Sequence, residues 1–307
     1  MQETILATRN LTKRYKNNIV VNNVNMNIKK GDIYGLIGKN GAGKTTIIRL
    51  ILSLIDETDG EIELFSKTST KEKLKELSRV GSIVETPKFY PYFTAEQNLE
   101  YYRIQRGIVE KEVVKESLEL VGLKDVGNKK FKKFSLGMKQ RLGIALAIMG
   151  DPDFLVLDEP TNGLDPMGIV EIREILLKLN KLKNTTILIS SHILGEVAQL
   201  ATCFGFIDNG MLIEEISAKE MNEKCRTCLA IKVNDTEKTS AILEEKVGCK
   251  EYEVLPENNI KIYTHLDEPE IINKLLVENG VMVYSLERLG ANLENYFIDL
   301  VGGKEHV

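Results

Sequence analysis

Short apolar runs alternate with amphipathic stretches over the first 220 or so of the 307 residues. Four of these runs read DIYGLIG, VGSIV, FLVLDEP and TTILISSH, and Gly-rich turns lie between the elements. Nearly continuous apolar runs of this length are typical of strands that are buried on both faces of a parallel sheet. The pattern therefore predicts an α/β domain over residues 1–220.

Two other regions have a different pattern. Residues 87–150 show helical periodicity in AEQNLEYYRIQR, KEVVKESLELVGL and GMKQRLGIALAIMG, which predicts a helical subdomain inserted between two strands of the sheet. Residues 221–307 predict a small α+β domain of the split βαβ type, with the order β-α-β-β-α-β. Its expected elements are a strand Leu229–Val233, a helix Thr236–Val247, two strands separated by PENN, a helix Pro269–Glu278, a strand Val281–Leu286 and a helix Leu293–Val301.

Composition narrows the class of protein. An apolar content of 43%, a charged content of 28% and a net charge of -4 indicate a globular protein without the basic footprint of a nucleic-acid binder. No apolar run approaches the ~18 residues that a membrane-spanning helix needs, and the start of the chain lacks the apolar core of a signal peptide. We therefore expect a cytoplasmic protein whose membrane role, if any, depends on a partner.

Cysteine and histidine offer no metal site. The CRTC segment has no second close cysteine pair, so reduced thiols are the expectation for all four cysteines. His265 and His306 have no metal-spaced partner and are interpreted as surface residues.

The segment GLIGKNGAGKTT contains a complete G-x-x-x-x-G-K-T motif between a predicted strand and a helical run. Glycines in such a loop allow successive N–H groups to point inward and bind phosphate oxygens, and the positive end of the following helix adds to the attraction. Lys44 would bridge the terminal phosphates of ATP, and the Thr45 hydroxyl would coordinate Mg²⁺. The predicted ATP-binding residues here are Gly38, Lys39, Asn40, Gly41, Ala42, Gly43, Lys44, Thr45 and Thr46.

The run FLVLDEP places two acidic residues at the end of a buried strand, where ligands lie in open α/β sheets. Asp158 is expected to hold Mg²⁺, and Glu159 is expected to act as the general base that polarises the attacking water. A solvated acidic strand end is the alternative, and the nearby phosphate loop counts against it.

Several further motifs occur in a characteristic order. FSLGMKQRLGIALA begins beside Ser135, TNGLDP contains Asp165, ILISSHILGEV contains His192, and LTKRY contains Tyr15. Together with the phosphate loop, they resemble the signature segment, the D-loop, the switch histidine and the adenine-stacking aromatic of ABC ATPases. The resemblance covers residues 1–220 and implies a P-loop ABC ATPase core with a mixed sheet and a helical subdomain.

The resemblance implies a head-to-tail dimer, formed with a second copy or a related ABC subunit, that binds two ATP molecules at its interface. Ser135, Gly137 and Met138 would close over the γ-phosphate bound by the partner, Asp165 would read the partner's site, and His192 would contact the γ-phosphate. The structural alternatives are an N-capped helix, a turn aspartate and a hydrogen-bonded strand-end histidine. Leu136 and Met138 depart from the family's usual Gly and Gln. The hydrogen-bond donors of the backbone and of the serine are retained, so binding of the phosphate is still expected.

Glu85 ends the run RVGSIVE where the family usually carries a glutamine that touches Mg²⁺. This glutamate, the FYP that follows and FSLGMKQRL resemble exporters of the bacitracin and lantibiotic self-protection type. Glu85 is therefore expected near the metal, with a surface glutamate as the alternative. The aromatic residues after it could fill the core of the insertion or form a groove for a helix of a separate membrane subunit, the permease. They are Phe89, Tyr90, Tyr92 and Phe93.

The resemblance implies an ATPase subunit that drives transport by a separate transmembrane permease, and that is therefore peripheral on the inner face of the cell membrane. A soluble ABC ATPase acting on ribosomes or DNA is the alternative. The single phosphate loop and the absence of sustained heptads count against it. A module that binds ATP without hydrolysis would not need Lys44, Asp158, Glu159 and His192 together.

Overall fold

The computed structural model describes residues 3–85, 88–289, 296–297 and 300. The chain forms two compact units, Met1–Ala218 and Lys219–Val307. Among the described residues, no helix has both the length and the apolar character needed to cross a membrane. All four cysteines are free thiols, as the sequence predicts.

The first unit contains two sheets and the helices that cover them. Its strands are β1 (Thr4–Tyr15), β2 (Asn18–Val24), β3 (Asn27–Lys29), β4 (Ile33–Ile37), β5 (Asp59–Leu64), β6 (Val80–Ile83), β7 (Phe154–Leu157), β8 (Thr186–Ser191), β9 (Cys203–Asp208) and β10 (Met211–Ser217). Its helices are α1 (Lys44–Ile51), α2 (Thr70–Glu76), α3 (Ala95–Gln105), α4 (Glu112–Leu120), α5 (Leu136–Ile148), α6 (Pro166–Lys183) and α7 (Leu194–Ala198).

The larger sheet has the order β10-β9-β4-β8-β7-β6, and β9, β4, β8, β7 and β6 run parallel. The strands β4, β7 and β8 are buried along their whole length. Burial on both faces explains why their sequences are mostly apolar. The fourth predicted run forms β6, in which Ser82 is exposed, so all four predicted strands are present. Their carboxyl ends lie at one edge of the sheet, which is where α/β proteins place their ligands.

The smaller sheet is antiparallel, with β1 paired to β2, β3 and β5. Its apolar side chains share a core with α1 and with the parallel sheet, for example Leu6, Leu11 and Ile28 with Ile47 and Ile48. The hairpin of β1 and β2 brings Val20 toward the start of α1, where it borders the phosphate loop.

The inserted helices α3, α4 and α5 lie between β6 and β7, as the periodicity predicts. Thr94 begins α3 with a capping box, in which its hydroxyl accepts the Gln97 N–H and the Gln97 side chain accepts the Thr94 N–H. Ser135 caps α5 by accepting the Met138 N–H at 3.3 Å. Side-chain oxygens therefore fix where two of these helices begin.

The second unit contains α8 (Ala218–Lys224) at its start, then β11 (Cys228–Val233), α9 (Thr236–Ile242), β12 (Tyr252–Leu255), β13 (Asn259–Ile262), α10 (Pro269–Glu278) and β14 (Val283–Leu289). The antiparallel sheet has the order β12-β13-β11-β14, which is that of a split βαβ fold. The expected elements are present up to β14, with α9 continued by a π-helical turn Leu243–Val247. The expected helix Leu293–Val301 falls almost wholly outside the described residues.

Candidate functional site

The loop between β4 and α1 borders a cavity of about 280 Å³ lined by Val20, Asn40, Gly41, Gly43, Lys44, Thr45, Thr46 and Glu159. Gly43 has φ +109°, a conformation that L side chains rarely adopt. A Cβ on Gly38 would stand 2.5 Å from the carbonyl oxygen of Ile207, so the close approach of β9 also requires glycine there. The first turn of α1 carries no acidic residue, so no side chain of the helix itself neutralises the positive end that faces the loop.

Lys44 is only 4% exposed, and its ammonium group has three oxygen partners. It donates to the carbonyl of Gly38 at 2.7 Å and to that of Lys39 at 3.1 Å. Its third partner is Oε1 of Glu159 at 3.1 Å. A buried ammonium group needs such partners, because an unpaired buried charge is strongly destabilising.

Glu159 connects the groups of this site. Its Oε1 contacts Lys44, and its Oε2 lies 2.8 Å from Nδ1 of His192. The backbone of Glu159 has φ +45°, which for a residue with a side chain costs of the order of 1–3 kcal/mol and persists only when the surroundings enforce it. The structure thus brings Lys44, Glu159 and His192 together.

Ser190 holds the two acidic residues in place. Its hydroxyl donates to Oδ1 of Asp158 at 2.7 Å and accepts the N–H of Glu159 at 2.9 Å. Asp158 is 7% exposed, so this contact accompanies a largely buried carboxylate. The sequence reasoning missed Ser190; the signal was a pair of serines at the end of a buried strand, two residues before a histidine.

The signature segment lies at a different cavity from the phosphate loop. Ser135, Leu136 and Gly137 border another cavity, of about 420 Å³, together with Gly163, Leu164 and Asp165 of the loop before α6. Asp165 caps α6 by accepting the Gly168 N–H at 2.9 Å. A Cβ on Gly137 would meet only Leu164, at 3.9 Å, so this position is open. Within one chain, the residues that border this cavity and those that border the phosphate loop do not overlap.

Tyr15 lies at the end of β1, paired with Asn18 of the hairpin. Its ring is 47% exposed, and Nζ of Lys13 lies 5.1 Å from the ring centroid. The same hairpin continues to Val20 at the phosphate loop, so an exposed aromatic face stands on the element that borders the site. Such a face suits stacking on a nucleobase.

Glu85 occupies a position equivalent to that of Glu159 on the adjacent strand. The register pairs Ile83 with Leu157, and each glutamate lies two residues beyond that pair. Both have left-handed backbones, with φ +64° for Glu85. The Glu85 carboxylate is exposed and forms an ion pair with Arg49 of α1, a partner that the sequence reasoning did not identify.

The aromatic residues after Glu85 divide into two groups. Phe89 is buried and packs against Phe131 and Tyr102, with ring centroids 5.1 and 5.8 Å apart. Tyr90, Tyr92 and Phe93 are exposed. One ring therefore belongs to the core of the insertion, and three remain on its surface.

Comparison with known proteins identifies the class of this site. Residues 21–162 match the family model described as ABC transporter. The chain is 46% identical over 300 residues, 98% of both chains, to the bacitracin transport ATP-binding protein BcrA of Bacillus licheniformis. The chain therefore belongs to the ABC transporter family, as an ATP-binding subunit with the family's ATPase fold.

Two other relatives extend this result. The lantibiotic transport ATP-binding protein SrtF of Streptococcus pyogenes is 44% identical over 211 residues, which are 69% of this chain and 90% of that protein. A dimeric post-hydrolysis structure of the ATP-binding cassette MJ0796 bound to ADP and Pi matches with a TM-score of 0.63 and 25% identity, covering 69% of this chain and 98% of that one. The resemblance to ABC ATPases and the predicted fold class are thus confirmed.

The contacts of Ser190 generate a prediction. Ser190→Ala removes a donor from Asp158 and an acceptor from the strained Glu159, and each buried group left without its partner costs about 1–3 kcal/mol. We expect a lower melting temperature together with reduced ATPase activity, measured by thermal unfolding and by phosphate release.

Ser82→Ala is the matched control, because Ser82 is an exposed serine on the neighbouring strand β6. It should change neither property. Equal behaviour of the two variants would contradict the bridging role of Ser190.

Proposed function

We propose that this chain is the nucleotide-binding subunit of an exporter of a peptide antibiotic, in which Glu159 is the general base for ATP hydrolysis. The observation that carries the catalytic part is the position of Glu159, which contacts both Lys44 and His192 at the edge of the phosphate loop. The similarity over nearly the whole chain to a bacitracin transport ATP-binding protein supports the part on transport.

In this proposal the phosphates of ATP lie against the inward N–H groups of the loop and the start of α1. Lys44 turns from Glu159 to the terminal phosphates, and the carboxylate it releases takes a proton from the attacking water. His192 orients the water and the γ-phosphate through its contact with the same carboxylate. Its position, 2.8 Å from Oε2, supports this role.

We assign Mg²⁺ to Thr45 and Asp158. Mg²⁺ prefers hard oxygen ligands and typically takes one or two protein oxygens along with substrate phosphates. Oδ1 of Asp158 accepts from Ser190, while no hydrogen bond within the described ranges uses its other oxygen. The ion would supply positive charge to the transferred phosphate, and Ser190 would keep the carboxylate oriented toward it.

The ATP site is completed by a second subunit, either another copy or a related ABC protein. Ser135, Gly137 and Asp165 border a cavity different from the one at their own phosphate loop. A head-to-tail dimer would place these groups against the nucleotide of the partner. The open position at Gly137 leaves room for a phosphate there.

We further propose that a separate membrane permease docks on the insertion, which would hold this subunit at the cytoplasmic face. A groove of about 600 Å³ runs between α3 and α4. Phe93, Tyr101 and Ile104 line it, and all three are exposed. Exposed apolar side chains in a groove are suited to receive an apolar helix face.

The assignment of the general base predicts the effect of Glu159→Gln. The amide keeps the shape of the side chain but cannot accept the proton, so the ATPase rate should fall by about 10² or more, as is typical for loss of a general base. This rate is measured as phosphate release by the purified protein at saturating ATP.

Glu61→Gln serves as the control, since Glu61 is an exposed partner of Arg9 in a surface ion pair. It should retain the wild-type rate. An unchanged rate in Glu159→Gln would remove Glu159 from the chemistry.

The ion pair of Glu85 with Arg49 leads to a second prediction. If Glu85 lies near Mg²⁺, its negative charge attracts the metal and repels the γ-phosphate when the metal is absent. Nucleotide affinity should therefore depend more steeply on Mg²⁺ in the wild type than in Glu85→Gln. Arg49→Gln frees the carboxylate and should increase the dependence further.

Titration with a fluorescent ATP analogue at low and high Mg²⁺ measures these affinities. The variant with both substitutions completes a double-mutant cycle, which shows whether Arg49 acts through Glu85. Arg49→Gln should have no effect on the Mg²⁺ dependence once Glu85 is already glutamine. Equal Mg²⁺ dependence in all four proteins would place Glu85 outside the surroundings of the metal.

The identity of the transported molecule can be tested in cells. Replacing the native gene by its Glu159→Gln allele should increase sensitivity to bacitracin or to a lantibiotic, while sensitivity to an antibiotic that acts inside the cell should not change. Unchanged sensitivity to both peptides, with the ATPase intact in the wild type, would overturn the proposed substrate but not the proposed catalytic role.

A further inference from the structure

Two segments of the insertion form one continuous surface. Residues 88–93 precede α3, and residues 129–134 precede α5. The N–H of Phe131 donates to the carbonyl of Phe93 and that of Lys132 to the carbonyl of Pro91, both at 2.9 Å. Phe89 anchors the pair from beneath by packing on Phe131. We call this surface the lysine–tyrosine platform; it consists of Lys88, Tyr90, Tyr92, Phe93, Lys129, Lys130, Lys132 and Lys133.

The aromatic side chains of the platform are open to solvent. Tyr92 is 69% exposed, Tyr90 41% and Phe93 38%. The rings of Tyr90 and Phe93 lie 5.1 Å apart, and Nζ of Lys132 stands 4.4 Å from the centroid of Tyr92. Tyrosine combines an apolar body with a polar tip, so such a cluster suits a boundary between water and a less polar medium.

The charge of the platform is of one sign. Its two segments contain five lysines and no acidic residue, in a chain whose net charge is -4. Within the described part of the chain, none of the five ammonium groups pairs with a carboxylate. Lys130 reaches the side-chain carbonyl of Gln97 at 3.4 Å, and Lys129 reaches the sulfur of Met138 at 3.5 Å. The acidic Glu96 lies beyond the platform, in the groove beside Phe93.

We propose that the lysine–tyrosine platform binds the surface of an anionic membrane directly, with its lysines on lipid phosphates and its tyrosines among the headgroups. Clustered lysines are attracted to anionic leaflets, and tyrosine is enriched at membrane interfaces. This contact goes beyond the attachment through a permease, because it belongs to the subunit alone.

The choice of lysine favours lipid over a protein partner. The platform carries no arginine, although arginine is enriched and lysine depleted at protein–protein interfaces. Lysine is a flexible and strongly hydrated point charge, so it can follow mobile headgroups without a fixed bidentate geometry. An acidic surface of the permease is the competing occupant, and the experiment separates the two.

The test is flotation of the purified full-length chain, without permease, with vesicles of phosphatidylcholine alone or mixed with phosphatidylglycerol. We expect binding to the anionic vesicles at low salt, at least about tenfold above that to the neutral ones, and loss of this binding at high salt. The triple variant K130Q/K132Q/K133Q should lose about tenfold or more of the binding. Tyr92→Ala should also weaken it.

The control K67Q/K71Q/K75Q removes the same charge from exposed lysines around α2 and should float like the wild type. Unchanged ATPase activity in both triple variants verifies their folding, because these lysines are not among the proposed nucleotide contacts. Equal flotation with both kinds of vesicle, flotation with neither, or equal loss in both triple variants would overturn the proposal, and flotation with neither would favour the permease as the occupant. None of these results would affect the proposed ATPase chemistry.

Discussion

The ion pair between Lys44 and Glu159 is the contact on which the geometry of the site depends. Lys44 is almost wholly withdrawn from water, and removing one partner from such a pair typically costs about 3–5 kcal/mol. The pair joins two parts of the fold that are far apart in sequence, the start of α1 and the segment that follows β7. It also places a carboxylate, already in contact with His192, beside the groups that would bind phosphate.

The parallel sheet explains how this contact is possible. The strands β4, β8, β7 and β6 are neighbours, so their carboxyl ends bring Lys44, His192, Glu159 and Glu85 to one edge. Glu159 and Glu85 follow paired positions of adjacent strands and share a left-handed backbone, yet they have different cationic partners. Glu159 faces the buried Lys44, while Glu85 faces the exposed Arg49. The same local geometry thus serves a buried contact in one strand and a solvent-exposed contact in the next.

Much of this arrangement could be predicted from sequence, and particular residues show why the rest could not. Strands buried on both faces carry unbroken apolar runs, so β4, β7 and β8 were recognisable, and the phosphate loop is determined by its glycines and Lys44. The antiparallel pairing of β1 with β5 is non-local and has no comparable pattern. Ser190 and Arg49 act through partners 31 and 36 residues away, so only the folded chain reveals their contacts. The division between the buried Phe89 and the exposed Tyr92 likewise depends on packing against Phe131.

The proposed dimer requires that one chain holds only part of its nucleotide site. Light scattering of Glu159→Gln with ATP and Mg²⁺ tests this directly, because a variant that binds without hydrolysis should accumulate in the closed form. We expect the mass of a dimer with ATP, that of a monomer with ADP, and that of a monomer with ATP when Ser135→Arg is added. A dimer that forms regardless of nucleotide and of Ser135, or a monomer under all conditions, would contradict it.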